Sequence, residues 1–214
     1  MDSSDVKLRS PSVYVPIPAT ATPPSLAWLS RTWTVTHSTL PMWRSSRDVR
    51  ISYSVLAPSS DARERNADRV EHVPISSGDG SDELSCCERL RAAPTVIEGV
   101  NTATLPGDAS SWDWRGKGAL FFVTSHWEVL GWGERTVDGG GDNTGVTERW
   151  AVTWFQKTLF SDEGVDVYCD RPEGISRETY ALIFDALKGL EASRVADLVE
   201  KDMFAIKIKG QDAS

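Results

Sequence analysis

The chain has 214 residues, 40% of them hydrophobic and 25% charged, which suits one globular domain with a substantial core. Its 23 Lys and Arg against 31 Asp and Glu give a net charge of −8, which argues against bulk nucleic-acid or anionic-membrane binding. Three cysteines make no disulfide framework, no apolar run opens the chain as a signal peptide would, and no stretch reaches membrane-spanning length, so the expectation is a reduced, cytoplasmic protein.

Residues 1–26 are rich in Pro, Ser, Ala and Thr and read as a flexible arm. Its Tyr14-Val15-Pro16-Ile17 stretch either belongs to the arm or packs on the domain that follows. A strand is expected over 29–39, with Trp33, Val35 and His37 on one face. A turn carrying Trp43, Arg44 and Arg47 leads to a second strand over 49–55, where Val49, Ile51, Tyr53 and Val55 alternate with polar residues. A third strand over 70–75 is weak, and Pro74 demotes it to an edge or a bulge. A polar insertion near 77–94 holds Cys86 and Cys87. A fourth strand is expected over 95–104, then a loop with Trp112 and Trp114, a fifth strand over 119–124 and a sixth over 126–132.

The most regular stretch is 148–187. Trp150, Val152 and Trp154 alternate with Ala151, Thr153 and Phe155, a Ser-Asp-Glu-Gly turn follows, and Val165, Val167 and Cys169 complete a hairpin. Ser176 is a helix N-cap, Ile175 and Tyr180 stand at staple positions, and Tyr180, Ile183, Phe184 and Leu187 share a helical face. A short second helix and a final strand near 204–208 close the chain. Eight strands in sequence fit an all-β, up-and-down antiparallel barrel with a C-terminal helix, with an open β-sandwich as the other arrangement. The domain then spans 27–209.

Cys169-Asp170-Arg171-Pro172, the Ser176-Arg177-Glu178-Thr179-Tyr180 helix start and Trp33 on the first strand resemble the corresponding pieces of lipocalins, above all the bacterial type. Arg31 departs from the family pattern, which has Gly two residues before the tryptophan. Two further stretches, THSTLPMWRS and TSHWEVLGWG, resemble uncharacterised fungal lipocalin-like proteins within the wider calycin group. The resemblance implies a closed barrel around one ligand, its floor sealed by Arg171 stacked on Trp33.

With Trp33 at the floor, strict alternation puts His37 inside, near the mouth. His126 begins the sixth strand at the same rim. On that strand, either His126, Glu128, Leu130 and Trp132 face inward, or Trp127, Val129 and Gly131 do. Candidate acid–base groups are therefore His37, His126 and Glu128. Candidate ligand contacts are Val35, Trp43, Arg44 and Tyr53 from the first two strands and their turn. Phe122, Trp127, Trp150, Trp154 and Phe160 complete the set. Arg44, Arg47 and Arg50 form either a solvated face or an anion-binding rim.

Nine tryptophans suit a rigid apolar wall with occasional donors. There is no Gly-rich phosphate loop, no Cys-x-x-Cys and no His-Glu-x-x-His, so neither a cofactor nor a metal is expected. Two functions follow. One is a cofactor-free cyclase or isomerase of secondary metabolism acting on a hydrophobic small molecule, which needs a dry shaped cavity and a few donors. The other is a non-catalytic intracellular carrier of such a molecule. The expected partner is that ligand alone, with no nucleic acid and no membrane, and the chain is expected to be a monomer or homodimer.

Overall fold

The computed structural model describes residues 6–75, 94–138, 145–159 and 161–209. Eight antiparallel strands close an up-and-down barrel: β1 (Thr32–Ser38), β2 (Ser46–Leu56), β3 (Arg65–Pro74), β4 (Thr95–Ala103), β5 (Ser111–Gly116), β6 (Thr124–Val137), β7 (Val146–Phe155) and β8 (Gly164–Cys169). Each pairs with the next, and β8 returns to β1. The direct β1–β2 contact is short, from Thr32↔Ser52 to Thr34↔Arg50. Beyond it the C-terminal segment wedges in: β9 (Phe204–Ala205) pairs with His37 and Ser38, and Lys207 bridges to Arg47. Ile206, in that wedge, joins the interior core.

Among the described residues three helices flank the barrel: α1 (Leu26–Leu29), α2 (Arg177–Lys188) and α3 (Ser193–Asp202). Ser176 caps α2 by accepting from the Thr179 amide at 3.3 Å. Ile183 and Leu187 of α2, with Val195 and Val199 of α3, pack on Leu130, Trp150, Val152, Trp154, Val165 and Val167. That core lies outside the barrel wall. The second core lies within it and contains Trp33, Val35, Trp43, Val49, Ile51, Tyr53, Trp112, Trp127 and Tyr168. Among the described residues no helix is long and apolar enough to cross a membrane.

Four expectations change. First, β5 is the Trp112–Trp114 stretch, where tryptophans alternate with Ser111, Asp113 and Arg115; 118–120 is a 3-10 turn that leaves Phe121 and Phe122 exposed. Second, β3 is a full ten-residue strand that begins five residues before 70. Its inward positions include Asn66 and Asp68, so hydrophobic alternation does not reveal it. Third, the floor is sealed by a different cation. The Arg31 guanidinium lies 5.3 Å from the Trp33 ring and 5.1 Å from Trp28, whereas Arg171 turns to Glu148 at 3.2 Å and Glu173 at 2.6 Å. Arg31 is the very residue that departs from the lipocalin pattern. Fourth, the expected flexible arm is anchored at its middle: the Arg9 amide donates to Leu130 O at 2.8 Å and the Ala192 amide to Ser10 Oγ at 3.0 Å.

Cys169 is buried and free, and burial pushes its thiol up to about 12. Cys86, Cys87 and nearly all of the polar insertion near 77–94 lie outside the described residues.

Candidate functional site

The inward face of the barrel is not uniformly apolar. Alternation on β3, β4, β7 and β8 turns Asn66, Asp68, Asn101, Thr153, Asp166 and Tyr168 inward, all of them buried. One chain of these groups is satisfied: Asn101 donates to Asn66 Oδ1 at 2.8 Å and accepts from Trp127 Nε1 at 2.7 Å. The others are not. Trp43 Nε1, Trp114 Nε1, Asn66 Nδ2, Asp68 Oδ1, Thr153 Oγ1, Asp166 Oδ2 and the Tyr168 hydroxyl are buried without a hydrogen bond of normal geometry. All seven belong to side chains on the interior positions. Leaving a buried polar group unpaired costs roughly 1–3 kcal/mol, so a fold concentrates such atoms only where something polar meets them.

Two carboxyls dominate the electrostatics. Burial raises Asp166 to about 7, against the opposing pull of Ser38, which donates to it at 2.5 Å, and of the Trp43 indole facing it. Burial likewise raises Asp68 to about 7, opposed by the neighbouring Trp114. Tyr53 and Tyr168 adjoin both carboxyls, and burial followed by these neighbours' charges lifts each phenol well above its ordinary value. The cluster therefore holds two carboxyls that exchange protons near neutrality and two phenols that stay protonated.

Aromatic rings frame it. Tyr53 is nearly parallel to Trp127, with centroids 5.6 Å apart and planes at 10°; Trp127 is also nearly parallel to Trp112 at 5.9 Å. Trp33 lies 6.4 Å from Tyr168. Trp33 and Trp112 spend their indole N–H groups on Leu29 O and Ala109 O, so they act as walls, while those of Trp43 and Trp114 face Asp166 and Asp68 without a hydrogen bond of normal geometry. Gly99 makes room for Trp114: a Cβ there would sit 2.1 Å from its Nε1.

Of the residues expected from sequence, Val35, Trp43, Tyr53 and Trp127 belong to this interior. His37 does not. The β1–β8 register shifts between Val35 and His37, and this bulge at Thr36 reverses the alternation. His37 therefore leaves the interior and lies on Tyr180 of α2, with centroids 3.5 Å apart. Burial lowers its imidazole to about 4. Trp150 and Trp154 also face outward, against α2 and α3. Trp154 Nε1 donates to Glu163 at 2.8 Å.

On β6 a register shift between Val129 and Gly131 reverses the alternation, pairing Gly131 with outward Val152 and Trp132 with inward Ala151, so neither expected face runs the length of the strand. On its first part Trp127 and Val129 are inward, so His126 and Glu128 are outside. There Glu128 is fully buried beneath the N-terminal arm. It accepts from Arg9 Nη1 at 2.5 Å and from the Ser12 amide at 3.1 Å. Burial works to raise it, but His126, Ser12 and Arg9 overcome that and hold it at about 2. His126 bridges outward to Asp113 at 3.0 Å, and its pKa is raised chiefly by Glu128. Arg44 stacks on Phe204 at 4.2 Å outside the barrel, and Phe122 is 60% exposed. Phe160 lies outside the described residues.

Asp68, Asp166, Asn66, Asn101, Thr153, Tyr168 and Trp114 were not expected as site residues. A sequence signal marks one of them: Asp166 interrupts the apolar run of the eighth strand, and in a hairpin buried on both faces such a carboxyl has no structural reason. No protein-family model matches the chain, and neither does any curated protein.

Proposed function

We propose that the protein binds one small molecule inside the barrel, a flat, largely apolar compound carrying both hydrogen-bond acceptors and donors. The observation that carries this reading is the set of seven buried polar atoms on the interior positions that lie near one another yet lack a hydrogen bond of normal geometry. Trp43 and Trp114 offer N–H groups to ligand oxygens, while Asp68 and Asp166 accept from ligand hydroxyls or amines. The mutually stacked Tyr53, Trp127 and Trp112 form a flat, rigid aromatic wall of the interior. The resemblance to lipocalin-like proteins supports the same use of the barrel.

Native mass spectrometry of gently purified protein tests the reading. The expected result is one retained small molecule per chain, lost when Trp43→Phe is combined with Asp166→Asn. A bare chain mass, with no change in tryptophan fluorescence across a panel of hydroxylated polycyclic compounds, overturns it.

A second reading, cofactor-free isomerisation or cyclisation, is favoured by one observation: both buried carboxyls titrate at about 7. A carboxylate at that value takes a proton from a carbon next to a carbonyl, while its protonated neighbour or Tyr168 donates to the carbonyl oxygen; the product is the enol, and the reverse transfer at another carbon completes an isomerisation. His37, His126 and Glu128 have no part in this step, since all three lie outside the barrel. Incubation of the retained molecule with protein in deuterated water distinguishes the readings. Isomerisation places deuterium on a carbon, and Asp68→Asn and Asp166→Asn abolish it; no exchange leaves binding alone.

A further inference from the structure

A second site lies on the outside of the wall. The outward rows of four adjacent strands are set by register: Arg65, Thr102, Asp113 and His126 follow one another across β3, β4, β5 and β6, and Ala67, Val100, Arg115 and Thr124 form the next row. Together with the segment after β7 they enclose a groove of about 930 Å³. Its basic residues are Arg63, Arg65, Arg115, Lys117 and Lys157, in a chain whose net charge is −8.

These cations are not all neutralised. Arg63 is paired with Asp61 and Lys157 with Asp162. Asp113, the one carboxylate lining the groove among the described residues, is engaged by His126. Arg65, Arg115 and Lys117 have no side-chain partner among the described residues. Two strand spacings of ~4.8 Å and one two-residue step separate Arg65 from Arg115, within the combined reach of two arginine side chains. Paired guanidinium forks suit the oxygens of a phosphate or carboxylate. Beside them Val100 and Leu159 line the groove, and Leu159 is 96% exposed.

We propose that this outer groove binds a single soluble anionic amphiphile, its phosphate or carboxylate between Arg65 and Arg115 and its apolar part along Val100 and Leu159. The proposal is independent of the barrel interior, because the wall separates the two sets of residues.

The test is calorimetric titration with dodecyl phosphate below its micellar concentration, with inorganic phosphate and anionic phosphatidylserine vesicles as the other arms. The expected result is saturable binding of one dodecyl phosphate, weaker binding of inorganic phosphate and affinity that falls with salt. In the Arg65→Gln/Arg115→Gln variant the affinity falls ~10-fold or more, as loss of charge-assisted bonds requires. That variant keeps whatever molecule the interior retains in native mass spectrometry, so failure here is distinct from failure of the interior reading. Equal affinity in wild type and variant overturns the proposal. So does inorganic phosphate binding as tightly as the amphiphile, or adsorption to vesicles without binding of the monomer.

Discussion

The imidazole of His37 lies flat on the Tyr180 ring, with centroids 3.5 Å apart and planes at 9°, on the helix side of the barrel wall. Burial holds it neutral and lowers it from 6.5 to about 4. A base whose folded value is depressed contributes stability that is complete above its unfolded value and is lost as pH falls through the folded one. His37→Phe keeps the stacked ring and removes the titration. Urea unfolding between pH 6.5 and 4 should therefore show a shallower loss of stability in the variant than in wild type, and the interior should bind as before. Identical pH profiles would show that His37 is not held neutral by the fold.

Arg31 and Arg171 divide the work that one arginine was expected to do. Arg31 covers Trp28 and Trp33, so Arg31→Ala should cost about 1–2 kcal/mol through lost cation–π contact. Arg171 faces Glu148, which is fully buried and also accepts from the Ser176 amide at 2.7 Å. Removing Arg171 leaves that carboxylate without its cation, and Arg171→Ala should cost about 3 kcal/mol. Chemical denaturation measures both; a larger loss at Arg31 would reverse the assignment.

The N-terminal arm depends on Glu128. Its depressed value, about 2 against 4.5, makes a contribution present above pH 4.5 and lost as pH falls through about 2. Glu128→Gln should weaken the hold of Arg9 and Ser12 above pH 4.5 and remove that acid limb. The Arg9 amide, bonded to Leu130 O, reports the change by hydrogen exchange. Undiminished protection of that amide in the variant would place the anchor elsewhere.

The fold was legible because strands such as β2 bury Val49, Ile51 and Tyr53 at period two, because hydrophobic runs with turn residues between them mark the other strands, and because Ser176 and the α2 face carry helical signals. What was not legible has two physical causes. Alternation is a local rule, and one extra residue at Thr36 reverses it; no pattern in Thr34-Val35-Thr36-His37 announces the bulge, so His37 was assigned inward. Trp150 and Trp154 share a face with Val152, but a strand covered on one side by a barrel core and on the other by helices is apolar on both, and the pattern does not tell which is which. The candidate site was hidden for a related reason. Asn66 and Asp68 make β3 look like loop, and those inward polar residues are the ones that give the interior its chemistry.

Asp68 and Asp166 set the opposite pH dependence from His37 and Glu128. Each is raised from 3.8 to about 7, so the folded chain prefers them protonated. A carboxyl of that kind contributes stability that is fully present below 3.8 and is lost as pH rises through about 7. The ligand-free protein should therefore lose stability progressively as pH rises from 3.8 to about 7, and the loss should level off above that. In the Asp68→Asn/Asp166→Asn double variant, which has no proton to lose at either position, that loss should be largely abolished. A ligand that donates hydrogen bonds to the carboxylates should also suppress it, by stabilising the ionised form and lowering both pKa values. Denaturation profiles of wild type, double variant and liganded wild type over this window carry the test. Coincident profiles for wild type and double variant would show that the two carboxyls are solvated, and the interior would then lose its claim to be a polar ligand site. A double variant that is flat with pH yet no longer retains the small molecule would place the two carboxyls where a stability cost is exchanged for binding.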